Sequence, residues 1–158
     1  MSLFSSTVYA VSFCSSTESS QSNSDNQVYA GLVWEFGNQN SFEKIPQLTL
    51  GIRSLHVKSS DSVNGADANI RIKIKDGLSI DSTRINYVGG NRDTLGNLGL
   101  GYSFKRQSLI GVGAIQSPYL RLGSDFILKD KSLNPFIETL TVDSPDKVDK
   151  KVTQQPCV

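Results

Sequence analysis

Between Gly65 and Gly77 the chain alternates without a break: Ala66, Ala68, Ile70, Ile72 and Ile74 share one side, and Asp67, Asn69, Arg71, Lys73 and Lys75 the other. A two-residue period puts successive side chains on opposite faces of a pleated strand. The same period runs through "QVYAGLVWEF", "PQLTLGIR", "TLGNLGLGYSF" and "YLRLGSDFIL". Strands are expected near Ser6–Cys14, Gln27–Phe36, Pro46–Val57, Ala66–Lys75, Leu78–Val88, Thr94–Phe104, Leu109–Gln116, Tyr119–Leu128 and Asn134–Val142. Turn clusters separate them at the short, even spacing of a sandwich or barrel, and no helical crossover is available to make neighbours parallel. The expectation is all-β: a single antiparallel up-and-down β-barrel of about eight strands over residues 1–142. Ser15–Asn26 reads as a solvated polar loop and 143–158 as a flexible polar tail.

The two faces differ in kind. One is apolar, with Val28, Leu32, Trp34 and Phe36, Ile70, Ile72 and Ile74, Leu98 and Leu100, Leu120, Leu122 and Phe126. The other carries glycines (Gly99, Gly101, Gly111, Gly113, Gly123) and the charges Glu35, Arg53, Asp67, Arg71, Lys73, Asp81, Arg84, Arg121 and Asp125. Glycine suits a strand face in water poorly, whereas small residues mixed with pairing charges suit a crowded lumen. The inverted arrangement follows, with the apolar set toward lipid and the charges forming a network that fills an interior too narrow for a wide pore. Several apolar runs have the nine to eleven residues a tilted spanning strand needs, and aromatics gather at their ends. The alternative is a soluble closed barrel or sandwich that binds an apolar ligand or a protein partner.

"YAGLVWEFG", "LGNLGLGYSF" and "SPYLRLGSDFIL" together resemble the strands of small bacterial outer-membrane β-barrel proteins, a likeness covering most of Gln27–Val142. The resemblance implies an outer-membrane barrel of about eight strands and nothing about a particular member. The role expected of such a barrel here, with membrane lipid as partner, is structural, surface-binding or adhesion, with minor permeation, through loops that meet an extracellular ligand or protein. The chain departs from the class in continuing past Val142, and Leu78–Val88 and Asn134–Val142 alternate imperfectly.

Composition trims the other classes. Sixteen basic against fifteen acidic residues leave no basic field for nucleic acid. The opening "MSLFSSTVYAVSFC" lacks a charged n-region and a continuous apolar run, so an exported protein is expected to be written here without its signal. Cys14 and Cys157 fit either one disulfide between the two ends or two separate thiols. His56, the only histidine, is the single candidate for an enzyme site, a membrane lipid-modifying one, and no nucleophile motif accompanies it. A non-enzymatic role is the expectation. No metal and no cofactor is expected: one histidine and two terminal cysteines make no zinc set, and Asp61, Asn64 and Asp67 read as turn residues before they read as calcium ligands.

Overall fold

The computed structural model describes residues 16–37, 45–75 and 77–154. Ten strands follow one another: β1 (Ser16–Ser19), β2 (Ser22–Glu35), β3 (Gln47–Lys58), β4 (Ser62–Lys73), β5 (Ser79–Asn91), β6 (Thr94–Ser103), β7 (Ser108–Ser117), β8 (Leu120–Ile127), β9 (Ser132–Leu140) and β10 (Lys151–Gln154). β2 to β9 form a closed eight-stranded barrel in which every neighbour is antiparallel and β9 pairs back onto β2. β1 and β10 pair with each other outside it. The fold is therefore the up-and-down β-barrel that the alternating segments predict. Closure leaves β3 to β9 a partner on both sides for most of their length, and on β2 the pairing with β9 covers Gly31–Glu35, so most of the exposed edge of an open sheet is removed.

Eight strands do not fix a barrel's shape until the stagger is known. Following register partners from Ser24 through His56, Asn64, Gly89, Gly96, Ile115, Leu122 and Ile137 leads to Trp34, ten residues further along β2. With a rise of about 3.3 Å per residue and strands about 4.8 Å apart, that stagger tilts the strands by about 40° and gives a radius of about 8 Å. Such a barrel is filled by its own side chains.

Two expectations shift. Ser15–Asn26, read as a loop, holds β1 and the first five residues of β2; with no apolar face to bury there, its polar side chains gave no period to read. The described part of the expected 143–158 tail begins by turning into the barrel mouth, with Val142 and Pro145 buried, and runs on into β10. The expected strand Ser6–Cys14 lies outside the described residues, as do Cys14 and Cys157. A register shift between Arg71 and Ile72 opposite β5 buries both Asp81 and Ser82, two successive residues, and this is the physical origin of the imperfect alternation in Leu78–Val88.

Both described ends of the chain lie at one end of the barrel, called here the terminal end; the hairpin end is opposite. At the terminal end Leu55, Val57, Val63, Val88 and Leu95 form a buried apolar floor, and Val148 packs against it. The segment after β9 is tied there by backbone. Arg53 Nη2 donates to the Asp143 carbonyl at 3.3 Å, Arg92 Nε to the Pro145 carbonyl at 2.8 Å, and the Tyr119 amide to the Val142 carbonyl at 3.1 Å. Val142 and Pro145 are buried as a result.

Candidate functional site

The interior carries the charge. Arg53, Asp67, Arg71, Asp81, Arg84, Arg121 and Asp125 are all buried inside the barrel, with Glu35 and Lys73 half-buried toward the hairpin end. They sort into two tiers. In the tier nearer the terminal end, Arg121 donates to Asp67 Oδ2 and to Glu138 Oε2, both at 3.2 Å, and to Gln116 Oε1 at 2.9 Å. Tyr29 donates its hydroxyl to Asp67 Oδ1 at 2.9 Å, and the Asn69 and Asn86 amides reach the same oxygen at 2.7 and 3.2 Å. Arg53 donates to Gln27 Oε1 through Nε at 2.9 Å and through Nη2 at 2.7 Å.

In the other tier Arg71 donates to Glu35 at 3.0 Å and to Asp125 at 3.2 Å, Arg84 pairs with the same Asp125 oxygen, and Lys73 stands 3.4 Å from Asp81. The Arg71 guanidinium lies over the Phe136 ring, 4.1 Å from its centroid, a desolvated cation–π geometry. Glu138 links the tiers, 3.2 Å from Arg121 and 4.0 Å from Arg71.

Glu138 and Tyr29 were not legible as members of this network. Glu138 sits in β9, whose sequence "SLNPFIETL" alternates too poorly to assign a face; only its register partner Arg121 fixes it inward. Tyr29 faces inward opposite Gly51, whose missing side chain leaves the place the ring occupies. Gly99, Gly101 and Gly123 likewise face the lumen, where a Cβ would meet Asn86, the Thr83 carbonyl and Ala114 respectively. Gly111 and Gly113 do not. In β7 the lumen side is taken by Ile110, Val112 and Ala114, packed with Val33, Ile127 and Phe136, and the two glycines lie on the outer face. The lumen is thus part ionic and part aliphatic.

The outer face is an apolar belt. Val28, Leu98, Leu100, Leu120, Leu122, Ile74 and Phe126 are exposed there, joined by Ile52, Ile85, Ile115 and Leu133. Leu32 and Phe36 lie on the same face, as do the half-buried Trp34, Ile70 and Ile72. With the strand tilt removed, the belt runs from the level of Val28 and Ala66 up to that of Phe104 and Leu128, a height of about 25 Å. Trp34, Phe36, Tyr102, Phe104 and Phe126 line its hairpin-end edge, with Tyr102 and Phe104 edge to face at 5.3 Å. Tyr87 and Tyr119 stand near the opposite edge, both exposed. Below that edge the outward residues of β2 to β6 turn polar: Ser24, Asn26, Ser54, His56, Lys58, Ser62, Asn64, Asn91 and Thr94.

Comparison with protein-family models, curated proteins and solved structures finds no match to this chain. Geometry therefore carries the functional reading. The remaining candidates fall as follows. His56 lies in the polar rim below the belt, its Nδ1 3.5 Å from Ser24 Oγ. Asp61 is in the β3–β4 turn, Asn64 faces outward and Asp67 inward, so these three oxygen donors do not converge, and no group of three metal-ligating side chains exists among the described residues. The lumen of the upper tier encloses a cavity of about 20 Å³ beside Glu35, Arg84 and Asp125, enough for about one water molecule. At the terminal end Tyr119 donates its hydroxyl to Asp143 Oδ2 at 2.8 Å, and the Ser144 amide donates to Asp143 Oδ1 at 2.6 Å. Those bonds hold the Asp143 carboxyl below the usual carboxylate range, the amide first, while the carboxylate beside it pushes the Tyr119 hydroxyl up.

Proposed function

We propose that this chain is an outer-membrane β-barrel protein, embedded in lipid through the belt and sealed inside, with a structural or surface-binding role. The observation that carries this reading is the belt itself: about 25 Å of exposed apolar side chains around the barrel, edged by aromatics, is the height and pattern that a lipid-spanning barrel presents. The interior supports it from the other side. A soluble barrel with an apolar ligand inside needs an apolar cavity, and here paired arginines and carboxylates fill that place.

Two layers oppose conduction, the ionic tiers and the Val142–Val148 segment in the terminal mouth. The role left to such a barrel is exerted at its ends, by its contact with lipid, or by partners that meet the short hairpins at 104–107 and 128–131. Purified without its lipids, the protein is expected to need detergent, to migrate differently on gels before and after boiling, and to give no steady current in planar bilayers. A chain that stays monodisperse in plain buffer overturns the membrane reading and favours the soluble barrel.

A further inference from the structure

We infer that the hairpin end of the barrel binds an anionic phospholipid, with its phosphate among the lysines of two neighbouring hairpins and one acyl chain against the outer wall of β7. The inference rests on the membrane reading and names the class of lipid. Each of three hairpins leaves the belt with an exposed apolar residue and follows it at once with an exposed lysine: Ile74 and Lys75, Phe104 and Lys105, Leu128 and Lys129. A lysine one residue past the apolar edge, at most about 3.3 Å further along the chain, keeps its stem on apolar surface and its ammonium at the level of the headgroups.

The two ends of the barrel differ in charge. The connections at the hairpin end, 36–46, 74–78, 104–107 and 128–131, carry six cations against three anions. Those at the terminal end, 20–21, 59–61, 92–93, 118–119 and 141–150, carry three cations against five anions. Lys75, Lys129 and Lys131 make no ion pair with any described residue. Ammonium groups without a carboxylate partner, standing beside hydrocarbon, attract anions from outside the chain, and the anions found at that depth are lipid phosphates.

Two of the hairpins are fixed side by side. β7 pairs with β8, so 104–107 and 128–131 are neighbours. The Leu128 amide donates to the Leu109 carbonyl and the Lys129 amide to Ser108 Oγ, both at 3.1 Å, which ties the root of one hairpin to that of the other. Lys105, Lys129 and Lys131 therefore rise from adjoining tips, and all three are exposed. One phosphate offers its oxygens to several ammonium donors at once, each a charge-assisted hydrogen bond. Arg106, half-buried beside the lumen cavity, adds its charge from inside.

Below these tips the outer wall of β7 is bare. A Cβ on outward-facing Gly111 would find its nearest neighbour, Phe126 Cβ, at 3.9 Å, and one on Gly113 would find nothing within 4 Å. In register, Leu100 and Phe126 stand on either side of Gly111, and Leu98 beside Gly113. The result is a trough that descends from the lysines, with β6 and β8 about 10 Å apart across it, room for one acyl chain. Charge selects a lipid over a second barrel as its occupant. Another copy of this chain in the same orientation would bring its own lysines to the same level, like charge against like.

The test uses the full chain folded in maltoside micelles, titrated separately with phosphatidylglycerol and phosphatidylethanolamine, with bound lipid counted by native mass spectrometry. The wild type is expected to hold its first phosphatidylglycerol about 10-fold or more tightly than phosphatidylethanolamine, and less so as salt is raised. Each of Lys105→Gln, Lys129→Gln and Lys131→Gln should weaken that lipid by about 5-fold, and the triple variant should abolish the preference. These lysines are exposed, so the variants should fold and migrate as the wild type does. The same charge change at the terminal end, Lys147→Gln with Lys150→Gln and Lys151→Gln, keeps the preference. Gly111→Leu fills the trough and weakens phosphatidylglycerol; an unchanged affinity there overturns the placing of the chain. Displacement of the lipid by inorganic phosphate at equal concentration, or tighter binding of soluble polyphosphate, overturns the lipid as ligand. A heat-modifiable barrel that binds both lipids equally, or whose triple variant keeps the preference, overturns the inference and leaves the membrane reading standing. A chain that stays monodisperse without detergent overturns the membrane reading and the lipid site with it.

Discussion

Replacing Leu100 by arginine separates lipid from water as the surroundings of the belt. Leu100 is 70% exposed on the outer face of β6. It shares a register row with Val28, but the strand tilt lifts it about 12 Å above the level of Val28, to the middle of the belt. An arginine at the bilayer midplane costs about 2–4 kcal/mol and one at the edge about 0–1 kcal/mol. The first figure corresponds to a loss of about 30- to 1,000-fold in the folding equilibrium. In water either substitution would stay within about 0.5 kcal/mol, since each removes no buried contact. The assay is urea unfolding in lipid vesicles followed by the fluorescence of Trp34, the only tryptophan, which stands half-buried on the belt. With a slope of about 1–3 kcal/mol per molar urea, Leu100→Arg should lower the midpoint by about 1–4 M and Val28→Arg by far less. Equal, small shifts for the two would refute the depth argument, since both side chains are exposed on the outer face and stand about 12 Å apart in depth.

Three further outcomes follow from the interior and the mouth. Arg121→Met leaves Asp67 and Glu138 buried without their common cation and should cost about 3–5 kcal/mol in the same unfolding assay. Gly123→Ala brings a methyl group against the Ala114 side chain and the Phe136 ring; the overpacking should cost about 1–3 kcal/mol, whereas Gly113→Ala, with open space around it, should be nearly neutral. The Tyr119–Asp143 latch should protect residues 141–150 from hydrogen exchange between about pH 4 and about pH 10. Asp143, held below its usual range, contributes above that range and loses its contribution as pH falls; Tyr119, pushed up, contributes below the ordinary tyrosine range and loses its contribution as pH rises through its folded value. Protection that is flat across both limits would remove the latch.

The strands were legible wherever one face had to be apolar. Ile70, Ile72 and Ile74 declare theirs at sight, and so does the set from Leu98 to Phe104. Ser22–Asn26 did not, because that part of β2 stands below the belt, where neither face is constrained to be greasy. β7 was legible as a strand but not in its facing: "LIGVGAIQ" offers branched residues on one side and glycines with apolar ends on the other, and only the pairing with β8 decides. The ionic tiers were readable as a list of charges and unreadable as a network, since Glu138 meets Arg121 only once β9 and β8 are in register.

The seam between β2 and β9 sets the order of events in synthesis. Its partners, Gly31 to Glu35 and Phe136 to Leu140, are separated by most of the chain, and β1 waits still longer for β10. A nascent chain can zip its hairpins one by one but carries two raw edges and a wall of exposed isoleucine and leucine until the last strand has left the ribosome. Shielding of those edges during that interval, by a holding factor or by an early lipid surface, is therefore a requirement of the topology.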